Sequence, residues 1–252
     1  MAKELNFLNK NCLVLGGTSG IGFEIASKLK KRGANVIIVG RNIEKISRSL
    51  FTSTMPTIKV DINNSEQLLE LERFIKSKFK KLDMVFNCVG IVVYKDFLLT
   101  TDEEIKTIIN TNLTSSIIII KKLIPFLLGS NGERKYIVQL GSLAGIARGH
   151  KKFSIYSASK EGLAGLFKSL SAEFEGSNIK FVLVCPAGVK TEIAEKAIGG
   201  EDLRGKLKNS TLDNPKDVAA GILDNLNSQL VDDGIRLLPT PLSKTSYDRL
   251  QK

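Results

Sequence analysis

Tyr156 and Lys160 stand four residues apart, so on a helix they share one face, a single turn from each other. A free phenol has a pKa of about 10 and moves its proton poorly near neutral pH, whereas an ammonium beside it favours phenolate and brings that value down. Together they form an acid/base pair suited to putting a proton on an oxygen or taking it off. The same spacing also occurs on solvated helix faces, where it carries no chemistry. A second candidate lies near the amino terminus, where the apolar run 11–15 ends in Gly16-Gly17-Thr18-Ser19-Gly20-Ile21-Gly22 and continues into the periodic segment 23–32. Glycines there let the chain turn and let backbone approach a pyrophosphate, whose charge the N–H groups and dipole of the opening helix favour. Tight packing alone would also use such glycines, but a second apolar run at 35–39 completes a βαβ unit around the turn.

These groups need a frame that brings them together, and the alternation of apolar runs with helical periods supplies it. Strands are predicted at 11–16, 35–39, 56–61, 82–87, 135–140, 180–184 and 234–238, with helices at 23–32, 65–79, 102–126, 155–175 and 215–230. Asn214 caps the last of these helices and Pro215 takes its first position. Seven strands alternating with helices predict a single α/β domain over residues 1–252, a Rossmann-type doubly wound parallel sheet with helices on both faces. In such sheets ligands bind beyond the carboxyl ends of the strands. Polar or glycine-containing segments fall at four of those ends: Asp61, Asn87 to Gly90, Gly141-Ser142, and Pro186 to Thr191.

Composition narrows the chemistry. His150 is the one histidine and reads as a loop residue, which excludes a histidine-based metal site and a serine–histidine hydrolase, and no metal is expected. Cys12, Cys88 and Cys185 lie in or beside apolar runs without metal-ligand spacing, as small core residues do. The net charge of +11 is spread over short basic runs, there is no tryptophan, and no groove-reading motif is present, so nucleic acid is not an expected partner. An anionic substrate or carrier is the more economical use of the charge, with Lys151 and Lys152 as its contributors closest to Tyr156. No run approaches a membrane span and 1–5 lacks a signal-peptide core, so a cytoplasmic protein with no membrane partner is expected.

Taken together, these motifs resemble the short-chain dehydrogenase/reductase family over residues 10–191. The family's Thr-Gly-x-x-x-Gly-x-Gly motif is similar to Leu15 through Gly22, with Leu15 in place of threonine. Its Asn-Asn-Ala-Gly motif is similar to Asn87-Cys88-Val89-Gly90. The resemblance implies a catalytic tetrad of Asn112, Ser142, Tyr156 and Lys160. Tyr156 would protonate a carbonyl oxygen as hydride arrives, Ser142 would hydrogen-bond that oxygen, Lys160 would lower the tyrosine pKa and hold the nicotinamide ribose, and Asn112 would position a relay water. It also implies cofactor contacts from Gly16, Thr18, Ser19, Gly20, Ile21 and Gly22, from Asn87, Val89 and Gly90, and from Pro186, Gly188, Val189 and Thr191, with Ala187 where glycine is usual. Asp61, with Ile62 beside it, falls where the family contacts the adenine ring.

An acid at the end of strand two would hold the ribose hydroxyls of NAD and repel a 2′-phosphate. Here Gly40 takes the acid's place, and Arg41 and Asn42 follow, so a phosphate can be clamped and NADP(H) is expected. The chain resembles 3-oxoacyl-acyl-carrier-protein reductases in length and core, which makes a 3-oxoacyl thioester one candidate substrate. A small ketone, sugar or secondary-metabolite intermediate is another, and a non-catalytic NADP(H)-binding sensor or scaffold remains open. Residues 191–213 are predicted to form a substrate lid, helical over 191–210, with Ile193, Ala194, Ala197, Ile198 and Leu203 able to cover an apolar substrate; a plain surface helix reads equally well. The helices 102–126 and 155–175 carry more apolar surface than one sheet contact uses, and the resemblance implies their pairing in a homodimer or homotetramer.

Overall fold

Asn11–Leu15 (β1) and Asn35–Gly40 (β2) lack a polar face because both sides of their sheet are covered. Leu13, Leu15, Ile37 and Val39 point into one core, whereas Cys12, Val14, Val36 and Ile38 point into the other. The structure, a computed structural model, describes residues 5–46, 54–129, 132–146, 149–208, 210–226, 231–232 and 236–250. The remaining strands are Thr57–Lys59 (β3), Met84–Asn87 (β4), Lys135–Leu140 (β5), Ile179–Val184 (β6), Val231–Asp232 (β7) and Arg236–Leu237 (β8). Their order in the sheet is β3-β2-β1-β4-β5-β6-β8-β7, parallel throughout except for the β7–β8 pair.

Gly20–Lys31 (α1) and Pro215–Asn225 (α7) cover the face that carries Cys12, Val14, Val36 and Ile38, through Ile25, Ala26 and Leu29 and through Val218, Ile222 and Leu223. Ser65–Lys78 (α2), Ser115–Leu127 (α4) and Ser154–Glu173 (α5) cover the other, through Leu71 and Ile75, Ile119 and Leu123, and Leu163 and Phe167. Asp102–Ile109 (α3), Gly200–Leu207 (α6) and Pro241–Leu250 (α8) lie around the carboxyl ends of the strands. The strand order reverses between β1 and β4, which opens a crevice at the ends of those two strands. Among the described residues, no helix is long and apolar enough to cross a membrane.

Three expectations need correction. Six strands have three residues or more; the seventh parallel strand, expected over 234–238, is the two-residue β8, and the antiparallel β7 was not foreseen. Residues 234 and 235 lie outside the described residues, as do 227–230 of the helix expected over 215–230. The helix expected over 102–126 is interrupted by a π turn at Asn110–Thr114, where the Ser115 N–H reaches back to the Asn110 carbonyl. That wide turn puts Asn112 in the interior, and π turns inside helices concentrate at functional sites.

The lid is helical only at α6. Residues ahead of it are held by strand-like hydrogen bonds, Tyr94 N to Ile198 O at 2.8 Å and Ile198 N to Val92 O at 3.0 Å. The tail after Leu238, unassigned from sequence, forms α8. Thr240 is its cap: the Ser243 N–H donates to Thr240 Oγ1 at 3.1 Å, and Pro241 takes the first helical position. Asn214 caps α7 as expected, accepting from Lys216 N at 2.9 Å.

Candidate active site

The crevice begins at the glycine turn. Gly16 and Gly20 have φ of +70° and +54°, a conformation that side-chain-bearing residues rarely adopt. A Cβ on Gly22 would sit 2.3 Å from the Gly16 carbonyl oxygen, so only glycine lets α1 start this close to β1. Ser19 precedes the helix in an extended conformation and its hydroxyl makes no capping bond. The first turn of α1 has no acid, whereas α2 and α3 carry Glu66 and Asp102, Glu103 and Glu104 there. The positive end of the α1 dipole therefore lacks an internal counter-charge and faces a cavity of about 280 Å³.

Gly16, Thr18, Ser19, Gly20, Ile21 and Gly22 form one wall of this cavity. Arg41 and Asn42 enter from the end of β2, Asp61 and Ile62 from the segment after β3, Val89 and Gly90 from the segment after β4, and Thr191 from the loop after β6. Close glycine backbone, a helix N-terminus, a cation and a carboxylate thus line one cleft, a set of groups that fits a dinucleotide. Pro186, Gly188 and Val189 face an adjoining cavity instead, together with Ser142, Tyr156 and Lys160.

Asn87 and Asn112 reach neither cavity. Asn87 is buried, donating to Gln139 Oε1 at 2.8 Å and Ser116 Oγ at 3.2 Å while accepting from Val89 N at 3.2 Å. It shapes the turn after β4 rather than lining the cleft. Asn112 holds the next segment: it accepts from Ile91 N at 2.9 Å and donates to Ile91 O at 3.0 Å and Ser159 Oγ at 3.1 Å. Its side chain thus positions the loop over the site. A Cβ on Gly90 would lie 3.2 Å from Lys160 Nζ and 3.5 Å from Asn112 Oδ1, so both groups abut this glycine.

Tyr156 and Lys160 project inward from α5 with exposures of 8% and 4%. Lys160 Nζ lies 5.8 Å from the Tyr156 ring centroid and donates to the Leu140 carbonyl at 3.0 Å. Ser142, at the end of β5, hydrogen-bonds the Tyr156 side chain and accepts from Ala144 N at 3.2 Å. The turn carrying it packs directly on α5, since a Cβ on Gly145 would come within 2.5 Å of Lys160 Cβ.

The expectation that the ammonium depresses the phenol pKa is corrected. Burial pushes Tyr156 above its ordinary value, opposed by the Ser142 hydrogen bond. Burial likewise drives Lys160 down to about 8, which weakens the charge that was to stabilise phenolate. The Cys88 thiol beside the lysine is pushed up to about 12 by burial, so it stays neutral.

The adjoining cavity has a volume of about 490 Å³ and largely apolar walls, with Val92, Leu143, Phe153, Ala194, Leu203 and Leu207 around the phenol. Ala194 and Leu203 are buried against Tyr156 and Val92, Ala197 and Ile198 pack beside them partly buried, and Ile193, 38% exposed, also lines the cavity, so the lid segment covers the site with the residues named for it. Lys152 does not supply the local positive charge expected of it. Asp202 at 2.7 Å and Asp96 at 3.6 Å neutralise it. Lys206 from α6 and Arg249 from α8 line the cavity instead, and His150, read from sequence as an ordinary loop residue, also faces it.

Sequence reasoning also missed the buried Gln139 that fixes Asn87, and the polar cluster at the foot of α8. There Thr240 Oγ1 donates to Asp213 Oδ2 at 2.7 Å and Ala187 N donates to Ser243 Oγ at 3.1 Å. The Thr240-Pro241 pair is a helix-start signal that could have revealed this element. Nothing in local spacing marks Gln139. Among the described residues, no group of three or more His, Cys, Asp or Glu is placed to hold a metal ion.

Comparison with known proteins agrees with this geometry. A 3beta-hydroxysteroid dehydrogenase of Mediterraneibacter gnavus is 32% identical over 224 residues, 82% of this chain and 80% of its own. A 3-oxoacyl-[acyl-carrier-protein] reductase, FabG, of Chlamydia trachomatis is 29% identical over 212 residues, covering 81% and 82%. Among solved structures, a short chain dehydrogenase/reductase from Burkholderia phymatum in complex with NAD superposes with a TM-score of 0.83 at 20% identity, over 97% of this chain and 93% of that one. The family model described as short chain dehydrogenase matches residues 10–201, across the glycine turn, Ser142, Tyr156 and Lys160, and the chain belongs to this family of nicotinamide-dependent oxidoreductases.

Proposed function

We propose that the protein is an NADP(H)-dependent oxidoreductase that interconverts a carbonyl compound and its secondary alcohol, with Tyr156 as the general acid and base. The observation that carries this reading is the meeting of Ser142, Tyr156 and Lys160 at the wall of an apolar cavity that shares Ile21, Val89 and Thr191 with the dinucleotide-shaped cleft. When bound, the nicotinamide supplies or accepts the hydride. Tyr156 gives its proton to the carbonyl oxygen, and Ser142 holds that oxygen and stabilises its developing charge. Lys160 and Tyr156 would hold the nicotinamide ribose, while Asn112 keeps the 91–94 segment in place above it. Val89, Gly90, Gly188, Val189 and Thr191 would hold the nicotinamide side, and Asp61 with Ile62 the adenine. Loss of NADPH absorbance with a short 3-oxoacyl thioester and a panel of ketones and aldehydes, against an NADH control, tests this reading; turnover must disappear in Tyr156→Phe.

The choice of NADP(H) rests on the end of β2. A Cβ at position 40 would lie 2.4 Å from Thr18 Cγ2, so Thr18 fills the space an acidic side chain would need, and Arg41 borders the cleft there. Hydrogen bonds to charged groups contribute about 1.5–3 kcal/mol, so Arg41→Ala is expected to lower kcat/KM for NADPH roughly 10- to 100-fold. NADH turnover should change little. An unchanged NADPH/NADH ratio would remove Arg41 from cofactor selection.

A 3-oxoacyl thioester is the first candidate substrate. The width and apolar walls of the second cavity favour a bulkier ketone as the alternative, in keeping with the activity that the Mediterraneibacter gnavus relative is named for. We also propose a cytoplasmic homodimer or homotetramer assembled through α4 and α5. Ile117 and Ile118 support it, lying 40% and 43% exposed on α4. Light scattering at micromolar concentration should return at least twice the 27.6 kDa chain mass, and a monomeric mass would refute this assembly.

A further inference from the structure

We propose that the substrate is an oxo compound whose apolar body carries an anionic group at the end remote from the carbonyl, recognised by Lys206 and Arg249. This inference rests on the reductase reading and adds the substrate class. The cavity beside Tyr156 has no aspartate or glutamate in its wall, and besides Lys160 two further basic side chains, Lys206 and Arg249, line it, joined by His150. Burial and the charge of Lys206 hold His150 below its ordinary pKa, which leaves it a neutral hydrogen-bonding partner.

Three cations nearby are matched. Lys152 pairs with Asp202 and Asp96, Lys95 with Glu104, and Lys196 with Glu192. Among the described residues, Lys206 and Arg249 have no carboxylate partner. Lys206 is held nevertheless, its Nζ lying 5.4 Å from the centroid of the Tyr94 ring and 5.3 Å from that of Phe153. The Phe153 ring in turn lies 5.6 Å from the Tyr156 ring. One aromatic ring therefore separates the catalytic phenol from a pre-positioned ammonium, and apolar side chains line the space between. An apolar compound with its carbonyl at Tyr156 and an anionic group at Lys206 and Arg249 matches the apolar and basic parts of this lining.

Two chemistries would meet the same cations: a carboxylate on an oxo acid, or the phosphate of a pantetheine thioester. Kinetics with NADPH separate them in two pairs, 7-oxooctanoate against its methyl ester, and 3-oxohexanoyl pantetheine 4′-phosphate against 3-oxohexanoyl pantetheine. For at least one pair the anionic member should have a kcat/KM about 10- to 100-fold higher, as charged hydrogen bonds warrant. In Lys206→Gln/Arg249→Gln that ratio should fall to near one while turnover of the neutral member is kept. Equal kcat/KM within both pairs, or a ratio that survives the double substitution, overturns the inference. Should none of the four compounds be reduced, the reductase reading fails on its own terms, and calorimetric binding of the same pairs to the native chain and the double variant decides whether the anion site exists.

Discussion

Tyr156→Phe is expected to lower kcat for carbonyl reduction by roughly 100- to 10,000-fold, the range that a positioned general acid contributes. Phenylalanine keeps the ring in its place beside Phe153 and removes the hydroxyl that meets Ser142, so the fold should persist and NADPH should still bind. Fluorescence titration with NADPH separates a lost proton donor from a lost cofactor site. Retained turnover in the variant would move the acid role to another group. In the native enzyme the raised phenol pKa sets the pH behaviour. Below that value the phenol is protonated, so reduction should stay level through neutral pH and decline only as Lys160, lowered to about 8, loses its charge. Alcohol oxidation needs phenolate and should climb steadily as pH rises.

Lys160→Met should have opposite effects on activity and stability: a fall in kcat of about 100-fold or more and a rise in melting temperature. Burial lowers the lysine from 10.5 to about 8, which corresponds to a penalty on the order of 3 kcal/mol for its charged form in the folded protein. Methionine of similar shape removes that penalty. The Leu140 carbonyl gives up the bond from Nζ but keeps the Gln139 amide at 3.2 Å. At about 2–4 °C per kcal/mol for a chain of this size, the net gain near neutral pH should be roughly 5 °C.

The sign of the pH dependence follows from linkage. Between pH 8 and 10.5 the unfolded chain binds more protons at this residue than the folded one, so native stability rises with pH across that window. The advantage of the variant is therefore full below pH 8, shrinks through the window and vanishes above it. Paired thermal scans at pH 7 and pH 10 measure this. A variant that melts lower at pH 7 would show that the hydrogen bond to Leu140 outweighs the burial of charge.

What the sequence revealed of this site was what is local along the chain. The glycine turn after β1, the Tyr156–Lys160 turn of α5 and the Asn214-Pro215 start of α7 each lie within one or two turns of backbone, where residue type and spacing dictate conformation. The parallel, doubly wound sheet followed from the βα alternation, because parallel crossovers leave few topologies. Interactions between distant segments were not legible. Asn87, Ser116 and Gln139 meet from three elements, and the motif around Asn87 suggested a cofactor contact where the fold uses a buried anchor. Lys206 and Arg249 arrive at the cavity from helices far along the chain, whereas Lys151 and Lys152 looked closer by number alone. The direction of the Tyr156 shift depends on how dry its surroundings are, which a four-residue spacing does not encode.

Asp213 joins parts of the protein that serve different ligands. Its backbone brackets the loop after β6, accepting from Lys190 N at 2.9 Å and donating to Gly188 O at 2.8 Å, while its carboxylate holds Thr240 at the head of α8. That loop lines the cleft and the cavity together, and α8 carries Arg249. A dinucleotide in the cleft and a substrate in the cavity would thus press on one shared, hydrogen-bonded wall. Whatever factor the first ligand adds to the affinity of the second, the second returns to the first, and a preferred order of binding would reflect this common tether rather than direct contact between the two ligands.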